Sequence, residues 1–171
     1  RSKTFHITGN IPTTQYSNAL SISEIEALEI RQNASSSVRI PGLTSAEYRV
    51  KKNLSISTSK NPGAARVCVW LDSLTLDFSY SKLDVYVAHE YPAGTCPYAE
   101  LMSHEGQHIA AYRQIHEDYL DKLKEAFQRA AELPTGANPA WAENTSQGEA
   151  LIRRLADETA APVMVEFKEE L

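Results

Sequence analysis

The chain has 171 residues, 42% of them hydrophobic, which is enough for one domain with a real core. Its formal charge is -5, and the Lys and Arg residues are dispersed, with no basic run beyond Lys51-Lys52 and Arg153-Arg154, so nucleic acid is not an expected partner. No apolar run approaches the roughly 18 residues needed to span a bilayer, and no transmembrane segment is expected.

The first residue is Arg1 rather than Met, which fits a mature form whose targeting segment has been removed. There are two cysteines, Cys68 in a predicted strand and Cys96 just ahead of a predicted helix. A disulfide between them would tie sheet to helix and imply a periplasmic or secreted location; two free thiols are the alternative.

In chain order, Lys3 to Thr8 alternates as a short strand, and Gly9, Asn10 and Pro12 break it. Ser21 to Arg31 carries Ile22, Ile25 and Leu28 at helical spacing, with Ser21 and Glu24 related as a capping box, although its β-branched content also permits a strand. Asn33 to Ser45 is Ser-rich, contains Pro41-Gly42 and predicts a loop. Glu47 to Ser57 predicts a strand, and Asn61-Pro62-Gly63 a reversal. Runs at Arg66 to Leu71, Leu74 to Phe78 and Leu83 to Ala88 then alternate, which predicts a meander of three or four antiparallel strands.

The next element holds the residues that carry chemistry. Pro97 stands where a first helical residue would, and Leu101, Ile109, Tyr112, Ile115, Tyr119, Leu123 and Phe127 recur at helical spacing, predicting one long helix up to Leu133-Pro134. Asn138 and Pro139 then predict the start of a second helix, returning antiparallel, with Trp141, Leu151, Ile152 and Leu155 inward and Pro162 kinking or ending it. The expected fold class is therefore α+β, an N-terminal antiparallel β meander followed by a long helix and an antiparallel return helix. We expect a single domain over 1–171, with a β-rich half at 1–92 and a helical half at 96–171.

The long helix contains His104-Glu105-Gly106-Gln107-His108. Histidines four apart stand one turn above each other, so both imidazoles can converge on one tetrahedral cation. Glu105, between them, could take a proton from a water activated by that cation. Two surface histidines on an amphipathic helix are the plain alternative. Chance alone produces such a motif in a chain of this size on the order of one time in a hundred.

A catalytic zinc site needs a third protein ligand. The position six residues after His108 is Gln114, and His116 lies about 12 Å farther along a straight helix. The remaining candidates are Glu143, Glu149, Glu158 and Glu166 on the following helix. In a hairpin turning near Pro134, His108 lies about 36 Å from the turn. Glu158 comes closest to that depth and continues the stripe Leu151, Leu155, whereas Glu149 falls on the side of Arg153. His89 and Glu90 would lie near the cleft at the end of strand Leu83 to Glu90. Tyr112 and Asp157 could orient ligands but have ordinary explanations as core and surface residues.

On His104, Glu105 and His108, with strand Leu83 to Glu90 and the cysteines Cys68 and Cys96 beside them, the chain resembles the zincin metallopeptidases of the glutamate-liganded kind. More loosely it is similar to small predicted bacterial zinc proteases that are secreted or periplasmic. The resemblance implies a Zn2+ cofactor, a peptide or protein substrate laid along the edge of strand Leu83 to Glu90, and peptide-bond hydrolysis with His104 and His108 as ligands and Glu105 as general base. No Asn-Glu or Asp-rich third-ligand motif follows at the usual short interval. A zinc-containing binding module of the bacterial envelope that cleaves nothing is the alternative expectation.

Overall fold

A computed structural model of the chain describes residues 3–32, 39–60 and 62–171. In order the elements are β1 (Thr4–Thr8), β2 (Gln15–Ser17), α1 (Ile22–Gln32), β3 (Gly42–Ser59), β4 (Val67–Val87), α2 (Cys96–Arg129), β5 (Ala140–Ala142) and α3 (Thr145–Glu170). The class is α+β, but the sheet is not the expected antiparallel meander. All four other strands pair with β4, and β1 and β2 join it parallel while β5 joins it antiparallel.

The physical reason lies in β4, where three runs expected to be separate strands form one. Buried side chains fall at Val67, Val69 and Leu71, then at Leu74, Leu76, Phe78 and Tyr80, then at Leu83, Val85 and Val87. Each run has the strand period of two, but the phase changes at Asp72-Ser73 and again at Ser81-Lys82. In a sequence, a phase change looks like a strand end. With no Gly or Pro between Val67 and Val87, nothing in the backbone stops the strand. At the first change the polar side chains are engaged: Trp70 Nε1 donates to Asp72 Oδ1 at 3.0 Å, and Ser57 Oγ donates to Oδ2.

The contacts cluster in two compact units. The first comprises Arg1–Gly9, Val50–Ser79 and Ile115–Leu171. Its core gathers Val69, Phe78, Leu123, Phe127, Ile152 and Phe167, all fully buried. Phe167 meets Phe78 edge-on, with centroids 4.8 Å apart, and Tyr119 packs on Phe167 at 5.5 Å. The helix expected to start at Asn138 starts instead after Asn144, whose Oδ1 accepts from the Gln147 N–H at 2.9 Å. Asn138 lies in the turn before β5, where Trp141 is exposed rather than inward. Pro162 lies inside α3 without ending it. Its missing N–H and ring oppose helix continuation, and burial of Phe167 beyond it offsets that cost. The buried residues of α3 are Gly148, Ile152, Ala156 and Phe167, so Ile152 is inward as expected, while Leu151 and Leu155 are only half-buried and Glu158 is exposed.

The second unit comprises Asn10–Arg49 and Tyr80–Gln114. The expected capping box starts α1: Ser21 N–H donates to Glu24 Oε2 at 2.8 Å and Glu24 N–H to Ser21 Oγ at 3.2 Å. Glu90 adds an acceptor for the Ile22 N–H at 3.1 Å. One cluster packs Ile22, Ile25 and Ala88 with Leu20, Ile40, Leu43, Tyr86 and Tyr91. Another packs Leu83, Val85 and Ile109 with Ile11, Ala46, Met102 and Tyr112. Of the loop expected at 33–45, residues 33–38 lie outside the described residues, and from Gly42 the chain is already β3. Asn61 of the expected reversal also lies outside them, while Gly63 takes the positive φ of 81° that a turn of this kind favours. Among the described residues no helix is long and apolar enough to cross a membrane.

A methyl group on Gly148 would meet Val69 Cγ1 at 2.3 Å, and Val69 is fully buried. Gly148→Ala is therefore expected to lower unfolding stability by about 1–3 kcal/mol through overpacking. Urea unfolding measures it, and an unchanged midpoint would contradict this packing.

Candidate metal centre

The motif histidines lie on α2, with His104 and His108 exposed and Glu105 only 4% exposed. Their Nε2 atoms are 3.1 Å apart, and the rings meet edge-on with centroids 4.7 Å apart. Two nitrogens bound at ordinary zinc distances with a tetrahedral angle stand about 3.3 Å apart. The separation is that of a hydrogen bond between the two rings and lies close to the spacing two ligands of one cation would have.

Beside the pair lies a cavity of about 240 Å³, lined by His104, Glu105 and His108 from α2, by Ile40, Gly42, Leu43 and Thr44 from β3 and the residues before it, and by Glu29 and Tyr112. Glu105 turns into it. Its Oε2 accepts from Thr44 Oγ1 at 2.6 Å, and a methyl on Gly42 would come within 2.7 Å of Oε1. A side chain at residue 42 would therefore displace the Glu105 carboxylate rather than any backbone. Burial pushes the Tyr112 phenol above its ordinary range, and the negative charge of Glu105 pushes it further the same way.

Glu158 belongs to the first unit, on α3, where it is exposed with Arg154 Nε 4.0 Å away. The buried carboxylate expected there is not found, because the buried face of α3 runs through Ile152 and Ala156 instead. Glu149 is half-buried on the same helix. Asp157 pairs with Lys52. His116 is a core residue, with Nε2 2.8 Å from the Phe78 carbonyl and its ring stacked on Phe78. His89 and Glu90 pair with each other at 3.4 Å, and Glu90 serves the start of α1. Strand Leu83 to Glu90, the expected substrate edge, pairs with β2 through Asp84, Val85 and Tyr86 and so is not a bare edge there.

Cys68 and Cys96 are both free thiols, Cys68 half-buried in β4 opposite Trp141 and Cys96 exposed at the start of α2. The expected bridge between them is not formed in this structure.

Three residues of the cavity were missed from sequence: Glu29, Gly42 and Thr44. Gly42 and Thr44 sat in a stretch that looked like loop because of its Ser and Pro-Gly content. Glu29 could have been found by extending Ile22 and Ile25 to the next position of the same helix face. Comparison with protein-family profiles, with curated proteins and with solved structures returns no match for the chain.

The donors fit a zinc ion in type and in the spacing of the histidine pair. Among the described residues, no group of three or more His, Cys, Asp or Glu is gathered to hold one.

Thr44→Val removes the hydroxyl bound to a buried carboxylate and is expected to cost about 1.5–3 kcal/mol of unfolding free energy. Thr44→Ser, which keeps the hydroxyl, is expected to lose less than half of that. Urea unfolding of the two variants side by side checks this, and equal losses would show that the methyl, not the hydrogen bond, matters.

Proposed function

We propose that this chain is a zinc-dependent peptide hydrolase, with His104 and His108 as nitrogen ligands and Glu105 as general base. The 3.1 Å separation of the two imidazole Nε2 atoms, beside a cavity that also holds a buried glutamate, is the observation that carries this reading. Bound zinc would supply Lewis acidity toward the scissile carbonyl and make water a better nucleophile at neutral pH.

The chain's own residues do the rest. Thr44 holds Glu105 Oε2, which leaves Oε1 to accept a proton from the attacking water and pass it to the leaving amine. The small side of Gly42 lets that carboxylate lie close to β3. β3 lines the cavity at Gly42 to Thr44 and, among the described residues, pairs with no strand but β4. Its other edge replaces Leu83 to Glu90 as the place where an extended peptide would be held by backbone hydrogen bonds.

The test is elemental analysis of the purified chain, run with digestion of an unfolded protein. One zinc per chain is expected, lost in both His104→Ala and His108→Ala. Glu105→Gln should keep the metal and lose about 10²-fold or more in turnover. Gly42→Ala, which pushes on the carboxylate rather than on backbone, should lower turnover with little change in thermal melting. Zinc without hydrolysis of any peptide would favour the binding module, and absence of zinc after incubation would overturn the site.

A further inference from the structure

Glu29 has a buried Oε2 with no hydrogen-bond partner, the one such side-chain atom among the described residues. A buried carboxylate oxygen without a partner is costly, so its occurrence calls for a donor or a counter-charge. The atom sits in no ordinary pocket. Glu29 lines the same cavity as His104, Glu105 and His108.

Its position follows from the helix. Ile22, Ile25 and Glu29 are spaced by three and four residues and share one face of α1, and Ile22 and Ile25 anchor that face in the core with Ala88. The other two glutamates of α1 are engaged elsewhere. Glu24 closes the capping box, and Glu26 Oε1 accepts from the Ile40 N–H at 3.2 Å. Glu105 is held by Thr44. Glu29 Oε2 is thus the buried carboxylate oxygen of the cavity that has no hydrogen-bond partner among the described residues.

Building on the zinc reading above, we infer that Glu29 is the third protein ligand, completing a His104, His108, Glu29 set from α1 rather than from α3. The three donors are not gathered around one point in this structure, so closure takes a rotamer change of Glu29 across the shared cavity. In exchange the carboxylate gains a cation, and the fourth position of a tetrahedral site is left to water and substrate.

The experiment measures zinc affinity of the full chain by competition with a chromophoric chelator, together with the melting temperature of the metal-free protein. For Glu29→Gln, the zinc dissociation constant should rise by more than the roughly 10–100-fold that loss of an outer-shell partner produces. Its metal-free form should melt no lower than wild type, since the substitution removes the carboxylate whose buried oxygen has no partner. Glu158→Ala should bind zinc as wild type does. Equal zinc affinity of Glu29→Gln and wild type would overturn the assignment while leaving the His104 and His108 site standing. Loss of zinc in Glu158→Ala would return the third ligand to α3. A wild-type chain that takes up no zinc would overturn both the assignment and the reading on which it rests.

Discussion

The sheet depends on one uninterrupted strand. β4 runs from Val67 to Val87 without a Gly or Pro, and every other strand of the sheet hydrogen-bonds to it. A strand this long has to bury apolar side chains along its whole length or become a liability, and it does so with a phase that changes twice. At the first change Asp72 accepts from Trp70 and Ser57 rather than being released into a turn. The two short strands that join β4 parallel, β1 and β2, come from the very start of the chain. This explains why a reading that advanced along the sequence, pairing each strand with the next, arrived at a meander.

What was legible in the sequence was mostly local. The capping box at Ser21 and Glu24 is a contact over three residues, and it is present as expected. The helix bearing His104 and His108 announced itself by Pro97 and by apolar spacing that persists to Phe127, and α2 spans Cys96–Arg129. The motif spacing depends only on helix geometry, which is why its two Nε2 atoms stand 3.1 Å apart. What was not legible required contacts between distant segments. Thr44 looked like a loop residue until Glu105 was seen against it, and Asn138 looked like a cap because the true cap, Asn144, has no Pro after it. For Glu158, a stripe drawn through Leu151 and Leu155 placed an exposed carboxylate on the buried face.

The cavity shows how two kinds of constraint meet at a site. Histidines on consecutive turns are positioned by one helix, at no cost in long-range order. The carboxylates are different. Glu105 owes its orientation to β3, through a hydroxyl and through the absence of a side chain at residue 42, and Glu29 owes its depth to the isoleucines that hold α1 down. Two carboxylates and two imidazoles line the same cavity, without three of them gathered around one point. Such a group is most easily tolerated when something positive is shared among its members.

The hydrogen bond from Thr44 to Glu105 joins residues 61 positions apart. Contacts of that span form late, because the loop between them has to close before they reward it. The helix with its two histidines can form early, but the carboxylate between them is oriented only after β3, β4 and α2 have come together. A partly folded chain would carry the motif without its geometry. For the peptide hydrolase proposed above, the general base would then gain its orientation only as the chain reaches the fold in which β3 and α2 meet.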